Sequence, residues 1–298
     1  MYDLIIIGGG PAGIVAGIYG ARKKLKTLIL TKDFIGQAGL TGTIENWPGE
    51  KNITGPELMN KFESHLKNYD VEIKDEEVIS LEKDKDFSVK TKEEEFNSKA
   101  VIIATGRKPR ALNIPGENEF VGKGIVYCTT CDAPLFKDKK VIVVGGGNAG
   151  LESAIELTDH TNEVFLFEAA SQLSGDEFLQ EKAKEKGVKI FTNRKIKEIK
   201  GSNFVEEVLF EDSGEEEKMQ VEGVFIQIGS IPINEFIADN LVDFNQSGEV
   251  VVDYQTCETK TGGLFAAGDV TNVRDKQIVV ATGEGTKASL SAYNYLRK

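Results

Sequence analysis

Two cysteines separated by two residues are best suited to redox chemistry in this sequence. Cys128 and Cys131 form a C-x-x-C motif that is followed directly by Asp132. A structural zinc site needs four ligands. The sequence offers only one more cysteine and two histidines, with no second C-x-x-C and no paired histidines, so we predict no metal site. A static disulfide is disfavoured in a reducing compartment. The motif therefore predicts a dithiol that cycles, in which one thiolate attacks a disulfide and the other thiol resolves the mixed disulfide.

Two other residues near this chemistry receive different interpretations. Asp132 is adjacent to the motif and is a candidate to exchange a proton with a thiol. Cys257 stands alone in the segment VVVDYQTC at residues 250–257, and we interpret it as a small buried residue whose further role the sequence leaves open.

A glycine-rich motif occurs twice and points to dinucleotide binding. DLIIIGGGPAG at residues 3–13 is matched by KVIVVGGGNAG at residues 140–150. Each is an apolar run, then G-x-G-x-x-G, then a helical pattern and a second apolar run, which is the sequence signature of a βαβ dinucleotide-binding unit. A pyrophosphate would sit at the start of each helix, where free N–H groups and the helix dipole favour negative charge. The predicted contact residues are Gly8, Gly10, Pro11, Ala12 and Gly13 in the first copy, and Gly145, Gly147 and Gly150 in the second.

The residue that closes the second strand of each unit should contact a ribose. In the second unit this residue is Glu168, an acid that accepts from a ribose 2′-OH and repels a 2′-phosphate. No Lys or Arg follows between Glu168 and Glu181, so a nicotinamide cofactor bound there is expected to be NADH, with NADPH disfavoured. In the first unit the equivalent residue is Thr31, which leaves that ribose contact without the usual acid.

The elements between these motifs predict two α/β domains. Strands are expected at residues 78–91 and 100–104 and, after the second motif, at 188–191, 205–210 and 221–228. Residues 92–95 and 215–218 are charged and are expected in solvated turns. A closing helix is expected over 283–296, and clusters of Pro, Gly and Asn suggest domain crossings near 111–116 and 240–248.

Composition excludes several classes of protein. A chain of 298 residues exceeds what one core usually organises, which supports two domains. Lys and Arg number 36 against 48 Asp and Glu, and the net charge of −12 argues against a nucleic-acid partner. No apolar run has the length of a membrane span, and Met1 opens on a strand-like run rather than a signal peptide. We therefore expect a cytoplasmic protein that does not bind membranes.

Together, the two glycine motifs, the C-x-x-C-D ahead of the second and the terminal AAGDV at residues 266–270 closely resemble the low-molecular-weight thioredoxin reductases. The resemblance implies a homodimer of Rossmann-like, three-layer domains, in which residues 113–241 form a pyridine-nucleotide-type domain inserted into an FAD domain of residues 1–112 and 242–298. It also implies that Cys131 lies nearest the flavin, Cys128 attacks thioredoxin and Asp132 protonates the leaving thiolate. Further FAD contacts are implied at Gln37, Asn46, Thr105, Gly106, Gly268, Asp269, Lys276, Gln277 and Ile278, with Lys276 in place of the family's Arg.

The electron donor is where the sequence departs from this family. NADPH-dependent members carry an H-R-R-x-x-x-R pattern after the second strand, whereas this chain has FEAASQL at residues 167–173. That segment is similar to the NADH-dependent flavoprotein of alkyl hydroperoxide reductase. Since no thioredoxin-like domain precedes the first motif here, we expect a separate protein to receive the electrons. The chain also resembles the ferredoxin-dependent flavin thioredoxin reductases, and we expect ferredoxin as the donor, with NADH as the alternative.

Alternatives of other classes are a flavin-bearing redox sensor and a ferredoxin–NADP reductase. The second is disfavoured because it would not need the C-x-x-C.

Overall fold

The computed structural model describes residues 1–40, 43–44 and 46–298, with the side chains of all of these except Thr43 and Cys131. In chain order, the strands are β1 (Tyr2–Ile7), β2 (Thr27–Thr31), β3 (Thr43–Ile44), β4 (Ile53–Thr54), β5 (Glu72–Asp75), β6 (Val78–Lys83), β7 (Phe87–Thr91), β8 (Glu95–Ile103), β9 (Arg107–Pro109), β10 (Ile125–Val126), β11 (Val141–Val144), β12 (Val164–Phe167), β13 (Lys189–Phe191), β14 (Arg194–Gly201), β15 (Val205–Asp212), β16 (Glu215–Gln220), β17 (Gly223–Ile226), β18 (Ser230–Pro232) and β19 (Leu264–Ala266). The helices are α1 (Pro11–Arg22), α2 (Gly36–Gly39), α3 (Gly55–Leu66), α4 (Glu117–Phe120), α5 (Thr129–Asp132), α6 (Asn148–Leu157), α7 (Glu177–Glu185) and α8 (Ile278–Leu296), with a 3-10 helix at Ala133–Phe136.

The chain divides into two compact units, and the second is inserted into the first. Unit 1 comprises Met1–Lys108 and Ile231–Lys298, and unit 2 comprises Pro109–Ser230. These crossings lie four and eleven residues before the expected boundaries at 112 and 241. The Gly- and Asn-containing stretch near 240–248 is part of unit 1, because Leu241 and Val242 are buried in its core. The crossings instead coincide with the short paired strands β9 and β18.

The sheet of unit 1 brings the ends of four strands to one edge. Its order is β5-β2-β1-β8-β7-β6, with β19 pairing β8. β1 is parallel to both β2 and β8, and β19 is parallel to β8. Ile7 is opposite Leu30 and Ile103, and Ile103 is opposite Ala266. Because β2 lies on one side of β1 and β8 on the other, the carboxyl end of β1 is a topological switch point, where α/β sheets bind ligands.

Unit 2 repeats this arrangement. Its parallel sheet has the order β10-β17-β11-β12-β13, so β11 lies between β12 and β17 as β1 lies between β2 and β8. Val144 at the end of β11 is opposite Phe167 and Ile226. A separate antiparallel sheet is formed by β14-β15-β16. The predicted α/β fold with two dinucleotide-binding units is confirmed.

Alternation of apolar side chains explains why each unit has three layers. In β1, Leu4 and Ile6 pack against the helices α1, α3 and α8, while Ile5 and Ile7 pack against β6, β7 and residues near 241. In β11, Val141 and Val143 face α6 and α7, and Ile142 and Val144 face the antiparallel sheet. Because β1 and β11 are each covered on both faces, nearly every residue of these strands is apolar.

Most expected elements are present, with some differences. The closing helix α8 begins at Ile278, five residues before the expected start. Residues 215–218, expected in a turn, belong to strand β16, because an edge strand exposed to water tolerates a run of charged side chains. The turn lies just before it, where Ser213 and Gly214 have positive φ. Among the described residues, no helix combines the length and apolarity needed to cross a membrane.

Candidate functional site

The glycine loops of the two units have the same geometry. Gly8 and Gly145 have φ of +113° and +117°. A Cβ on Gly8 would lie 2.4 Å from the carbonyl oxygen of Ala104, and a Cβ on Gly145 would lie 2.3 Å from the carbonyl oxygen of Gln227. A Cβ on Gly13 or Gly150 would lie 1.9 Å from the carbonyl oxygen of the first glycine of its own motif. Four of the six glycines are therefore required by the protein's own packing.

The middle glycine of each motif has no such packing reason. A Cβ on Gly10 would meet none of the protein atoms that the structure describes within 4 Å. A Cβ on Gly147 would meet Ser174 Oγ at an ordinary contact distance of 3.6 Å. Gly10 and Gly147 immediately precede α1 and α6, whose first N–H groups face outward from the helix end. The first loop therefore has the open, donor-rich surface that a dinucleotide pyrophosphate needs, and the residues of unit 1 fit FAD. At the second loop, Ser174 and Gly175 donate their N–H groups to the carbonyl of Gly146 and so lie against the loop.

The other residues predicted to contact FAD follow strands of the unit 1 sheet or lie in and next to the helices α2 and α8. Gly268 follows β19, has φ of +79°, and would bring a Cβ to 3.1 Å from the Cβ of Ala12. Thr105 follows β8 and donates its hydroxyl to the carbonyl of Ile233 at 2.6 Å. Asn46 donates to the side chain of Gln277 at 3.1 Å, directly before Ile278 begins α8. Gln37 donates to the carbonyl of Arg107 at 2.7 Å.

Lys276 is engaged by an internal ion-pair cluster. Its Nζ lies 2.9 Å from Glu249 Oε1, which Arg107 Nη1 also contacts at 2.8 Å, and it donates to the carbonyl of Thr271 at 2.5 Å. Burial raises the pKa of Glu249, but its bonds to Asn245 and Lys276 and the charge of Arg107 outweigh this and leave the pKa below its ordinary value. Sequence reasoning identified Lys276 and missed Arg107 and Glu249, which nothing in the motifs marks.

Two carboxyl groups lie close to this edge, the half-buried Asp269 and the buried Glu284. Burial raises the pKa of Asp269, opposed by the positive charges of Lys276 and Arg107. Glu284 in α8 is only 4% exposed, and its Oε2 accepts from the N–H of Gly268 at 2.8 Å. Burial also raises the pKa of Glu284. Glu284 therefore supports the Gly268–Asp269 turn, a contact that the sequence did not reveal because Glu284 lies within a helical pattern.

The residues expected to contact a ribose differ between the two units, as the sequence predicts. Glu168 follows β12 and accepts from the N–H of Gly146 at 2.6 Å and from that of Ala170 at 2.8 Å, so its carboxylate lies on the second glycine loop. The buried Thr31 donates its hydroxyl to the carbonyl of Asp33 at 2.5 Å. The carboxylate of Asp33 accepts from the N–H groups of Ile35 and Gly36. Glu168 is therefore hydrogen-bonded to the glycine loop of its unit, whereas Asp33 is bonded to the residues that follow it.

A cation lies near Glu168 although it is distant in sequence. The N–H of Arg194 donates to the carbonyl of Glu168 at 2.9 Å. Its guanidinium is paired with Asp212 at 2.6 Å and stacks on three aromatic rings, with Phe191 nearest at 4.1 Å. Arg194 is therefore paired with Asp212 and held against aromatic rings, so that it does not replace the arginines that the sequence lacks.

The redox motif lies in unit 2, between β10 and the 3-10 helix. Cys128 is disulfide-bonded, and Cys257 is a free, buried thiol. Burial raises the pKa of the Cys257 thiol to about 11. Asp132 closes α5, while the side chain of Cys131 lies outside the described part of the structure. The disulfide of Cys128 is the state expected of a redox-active cysteine in its oxidised form.

Polar side chains of α4 and α6 hold the segment around Cys128. Tyr127 donates its hydroxyl to the buried Glu117 at 2.6 Å, and burial together with this bond raises the pKa of Tyr127. Thr129 donates to Ser153 at 2.8 Å, and Thr130 donates to Glu156 at 3.1 Å. Ser153 and Glu156 lie on α6, the helix that begins at the second glycine loop. The segment is thereby attached to the helix that begins at the nucleotide-type loop.

Comparison with known proteins agrees with this geometry. The pyridine nucleotide-disulphide oxidoreductase family matches residues 2–285. An alkyl hydroperoxide reductase component from Staphylococcus aureus is 42% identical over 99% of this chain and 59% of its own length. A Bacillus subtilis NADH dehydrogenase is 40% identical over 99% of this chain and 58% of its own. The chain thus spans about three-fifths of the length of these curated relatives.

A solved structure covers the whole chain. The thioredoxin reductase of Lactococcus lactis superposes with a TM-score of 0.91 at 35% identity, covering 100% of this chain and 99% of that one. The glycine loops and the cysteine motif therefore occur in a chain that belongs to the pyridine nucleotide-disulphide oxidoreductase family of flavin-dependent enzymes and has the thioredoxin reductase fold.

Proposed function

We propose that this chain transfers electrons from NADH to the disulfide of a thioredoxin-like protein, with Cys128 and Cys131 as its redox pair. The observation that carries the proposal is the disulfide-bonded Cys128, held by α6 beside a second dinucleotide loop. A flavoprotein that served only as a nucleotide reductase would not need this motif. Thioredoxin as the acceptor is supported by the name of the Lactococcus lactis neighbour.

FAD would be held in unit 1 by residues at the edge of its sheet. The loop from Gly8 to Gly13, including Pro11 and Ala12, offers the N-terminus of α1 to the pyrophosphate. The remaining proposed contacts are Thr31, Gln37, Asn46, Thr105, Gly106, Gly268, Asp269, Lys276, Gln277 and Ile278. Bound there, FAD supplies two-electron chemistry between a nicotinamide and a disulfide.

NADH is the donor that the described residues support best. Gly145 and Gly150 keep the packing of a nucleotide loop, and a Cβ on Gly147 at the start of α6 would meet Ser174 Oγ only at an ordinary contact distance of 3.6 Å. Glu168 supplies a carboxylate, and the nearby Arg194 is committed to Asp212, so that a 2′-phosphate would meet negative charge. The name of the Bacillus subtilis relative also favours NADH. The expectation of ferredoxin as donor finds no support among these relatives.

The two cysteines and Asp132 would perform the exchange with the acceptor. The Cys128 thiolate attacks one sulfur of the acceptor disulfide, which forms a mixed disulfide and releases the other acceptor sulfur as a thiolate. Asp132, adjacent to the motif at the end of α5, would donate a proton to that thiolate. Cys131 then attacks Cys128, so that the acceptor leaves as a dithiol and the Cys128–Cys131 disulfide forms again.

Steady-state turnover tests the proposal. Oxidised thioredoxin and excess donor are mixed with the purified FAD-loaded protein, and thioredoxin thiols are counted with time. We expect turnover with NADH, much weaker turnover with NADPH, and no thioredoxin reduction by Cys128→Ser although it retains flavin. A protein that is reduced but shows no turnover would instead be a redox sensor.

Running reduced ferredoxin in parallel separates the donors, since faster flavin bleaching by ferredoxin than by NADH would overturn the choice of NADH. The family resemblance also implies a homodimer, which light scattering on the same sample checks.

A further inference from the structure

Gln227 is shared by the glycine loop and the redox segment of unit 2. It follows β17, and its backbone N–H donates to the carbonyl of Val144, the last residue before Gly145, at 2.8 Å. Its own carbonyl oxygen lies so close to Gly145 that a Cβ there would approach to 2.3 Å. The backbone of Gln227 is therefore fixed by the same packing that requires glycine at position 145.

The side chain of Gln227 points to the redox motif. Its amide Nε2 donates to the carbonyl of Tyr127 at 3.1 Å and lies 3.4 Å from the hydroxyl of Thr129. These two residues immediately flank Cys128. The amide NH₂ group has two hydrogens and can serve both acceptors, which neither a carboxylate nor an aliphatic side chain could do.

The second partner of Thr129 completes the arrangement. The hydroxyl of Thr129 donates to Ser153 Oγ at 2.8 Å, and both residues are buried. Thr129 therefore receives from Gln227 on one side and donates to Ser153 on the other. Gln227, Thr129 and Ser153 form a connected polar group, here named the Gln227 bridge, that joins the residue after β17 to α5 and α6.

We propose that Gln227 is a positioning residue that stabilises the disulfide state of Cys128 over its thiol state. The inference rests on the proposed function, because it requires Cys128 to be reducible. The Gln227 bridge is formed while Cys128 is in its disulfide. Reduction adds two electrons and two protons, breaks the S–S bond and yields two thiols, which frees residues 128–131 to rearrange away from the bridge.

The expected effect is a shift of the disulfide potential. Losing a hydrogen bond that forms in only one of two states changes their equilibrium by about fivefold. Tenfold corresponds to about 29.6 mV for a two-electron couple, so Gln227→Ala should make the Cys128 potential about 20 mV more positive. Ser153→Ala removes the other end of the bridge and should shift it in the same direction.

The test is a redox-buffer titration of the FAD-loaded protein. Wild type, Gln227→Ala, Ser153→Ala and the control Gln220→Ala are equilibrated anaerobically with mixtures of reduced and oxidised dithiothreitol, and thiols are trapped and counted by mass. Gln220 is exposed on β16 and contacts Glu207, away from the motif. We expect positive shifts in the first two variants and none in the control.

The outcomes separate the inference from the proposed function. Potentials of Gln227→Ala and Ser153→Ala within about 5 mV of wild type, with all proteins titrating normally, would overturn the inference alone. If the wild-type Cys128 does not titrate as a two-electron couple, the proposed function fails and the inference fails with it. Should Gln227→Ala not fold, Ser153→Ala alone decides, since it removes one buried hydroxyl from the bridge and leaves Gln227 in place.

Discussion

Substituting the glycines of the first loop distinguishes a ligand site from a tight turn. The contrast is between Gly10→Ala and Gly13→Ala, three residues apart at the start of one helix. A Cβ on Gly13 would lie 1.9 Å from the carbonyl oxygen of Gly8, whereas a Cβ on Gly10 would meet no described protein atom within 4 Å. The backbone at Gly10 is extended, with φ of −74°, a conformation that alanine adopts readily.

These distances set the expected magnitudes. Relieving a 1.9 Å contact requires the backbone to move by more than an ångström, and we expect Gly13→Ala to lose about 4 kcal/mol or more of unfolding free energy. Gly10→Ala should leave the stability of the FAD-free protein within about 0.5 kcal/mol, because a surface substitution without strain is nearly neutral. It should nevertheless weaken FAD binding at least about tenfold, since the methyl group occupies the space that the pyrophosphate approaches.

Two measurements on the same proteins check this. Urea unfolding of FAD-free samples gives the stability, and quenching of flavin fluorescence on titration gives the dissociation constant. Gly147→Ala is the matched control, because we expect it to keep both stability and FAD affinity and to weaken NADH instead. If Gly10→Ala binds FAD as tightly as wild type, the assignment of FAD to this loop is refuted.

Three further predictions concern carboxyl and thiol groups. Glu168→Gln should lower the preference for NADH over NADPH by about tenfold in steady-state kinetics, because it removes the charge repulsion of the 2′-phosphate. The control is Glu185→Gln, at an exposed acid on α7, which should leave this preference unchanged. With a pKa of about 11, the buried Cys257 thiol is almost entirely protonated at pH 8. Iodoacetamide should therefore label Cys128 and Cys131 of the reduced protein and leave Cys257 unlabelled until urea is added. Labelling of Cys257 in the folded protein would contradict its burial. Because burial raises the folded-state pKa of Glu284 above its unfolded value of 4.5, its ionisation lowers the unfolding free energy as pH rises from 4.5 through the raised pKa. Glu284→Gln keeps an acceptor for the N–H of Gly268. In urea unfolding at fixed FAD, the unfolding free energy of this variant should therefore fall less between pH 5 and pH 8 than that of the wild type. An equal fall in both proteins would contradict the raised pKa of Glu284.

The sequence was most informative where one local pattern requires one backbone geometry. G-x-G-x-x-G after an apolar run predicted both loops, and Gly8, Gly13, Gly145 and Gly150 are required by backbone contacts that no other residue allows. The C-x-x-C likewise indicated a redox pair because few other functions use two cysteines at that spacing.

Contacts between residues distant in sequence were not predictable. Arg194 lies beside Glu168 through the pairing of β12 and β13, 26 residues along the chain, and its aromatic partners come from three different strands. Gln227 and Glu284 act through side chains that reach loops formed elsewhere in the sequence. The second crossing between the compact units comes before the one expected near 241 for a related reason, since the turn-rich stretch there is buried by tertiary packing.

Counting the electrons that the protein accepts tests the central claim most directly. An anaerobic titration of FAD-loaded protein with NADH, followed by absorbance and by trapping of thiols, measures how many equivalents reduce flavin and disulfide together. The account predicts about two NADH per chain for the wild type, with new thiols at Cys128 and Cys131, and about one for Cys128→Ser. Complete flavin reduction by about one NADH in the wild type, with no new thiols, would contradict it.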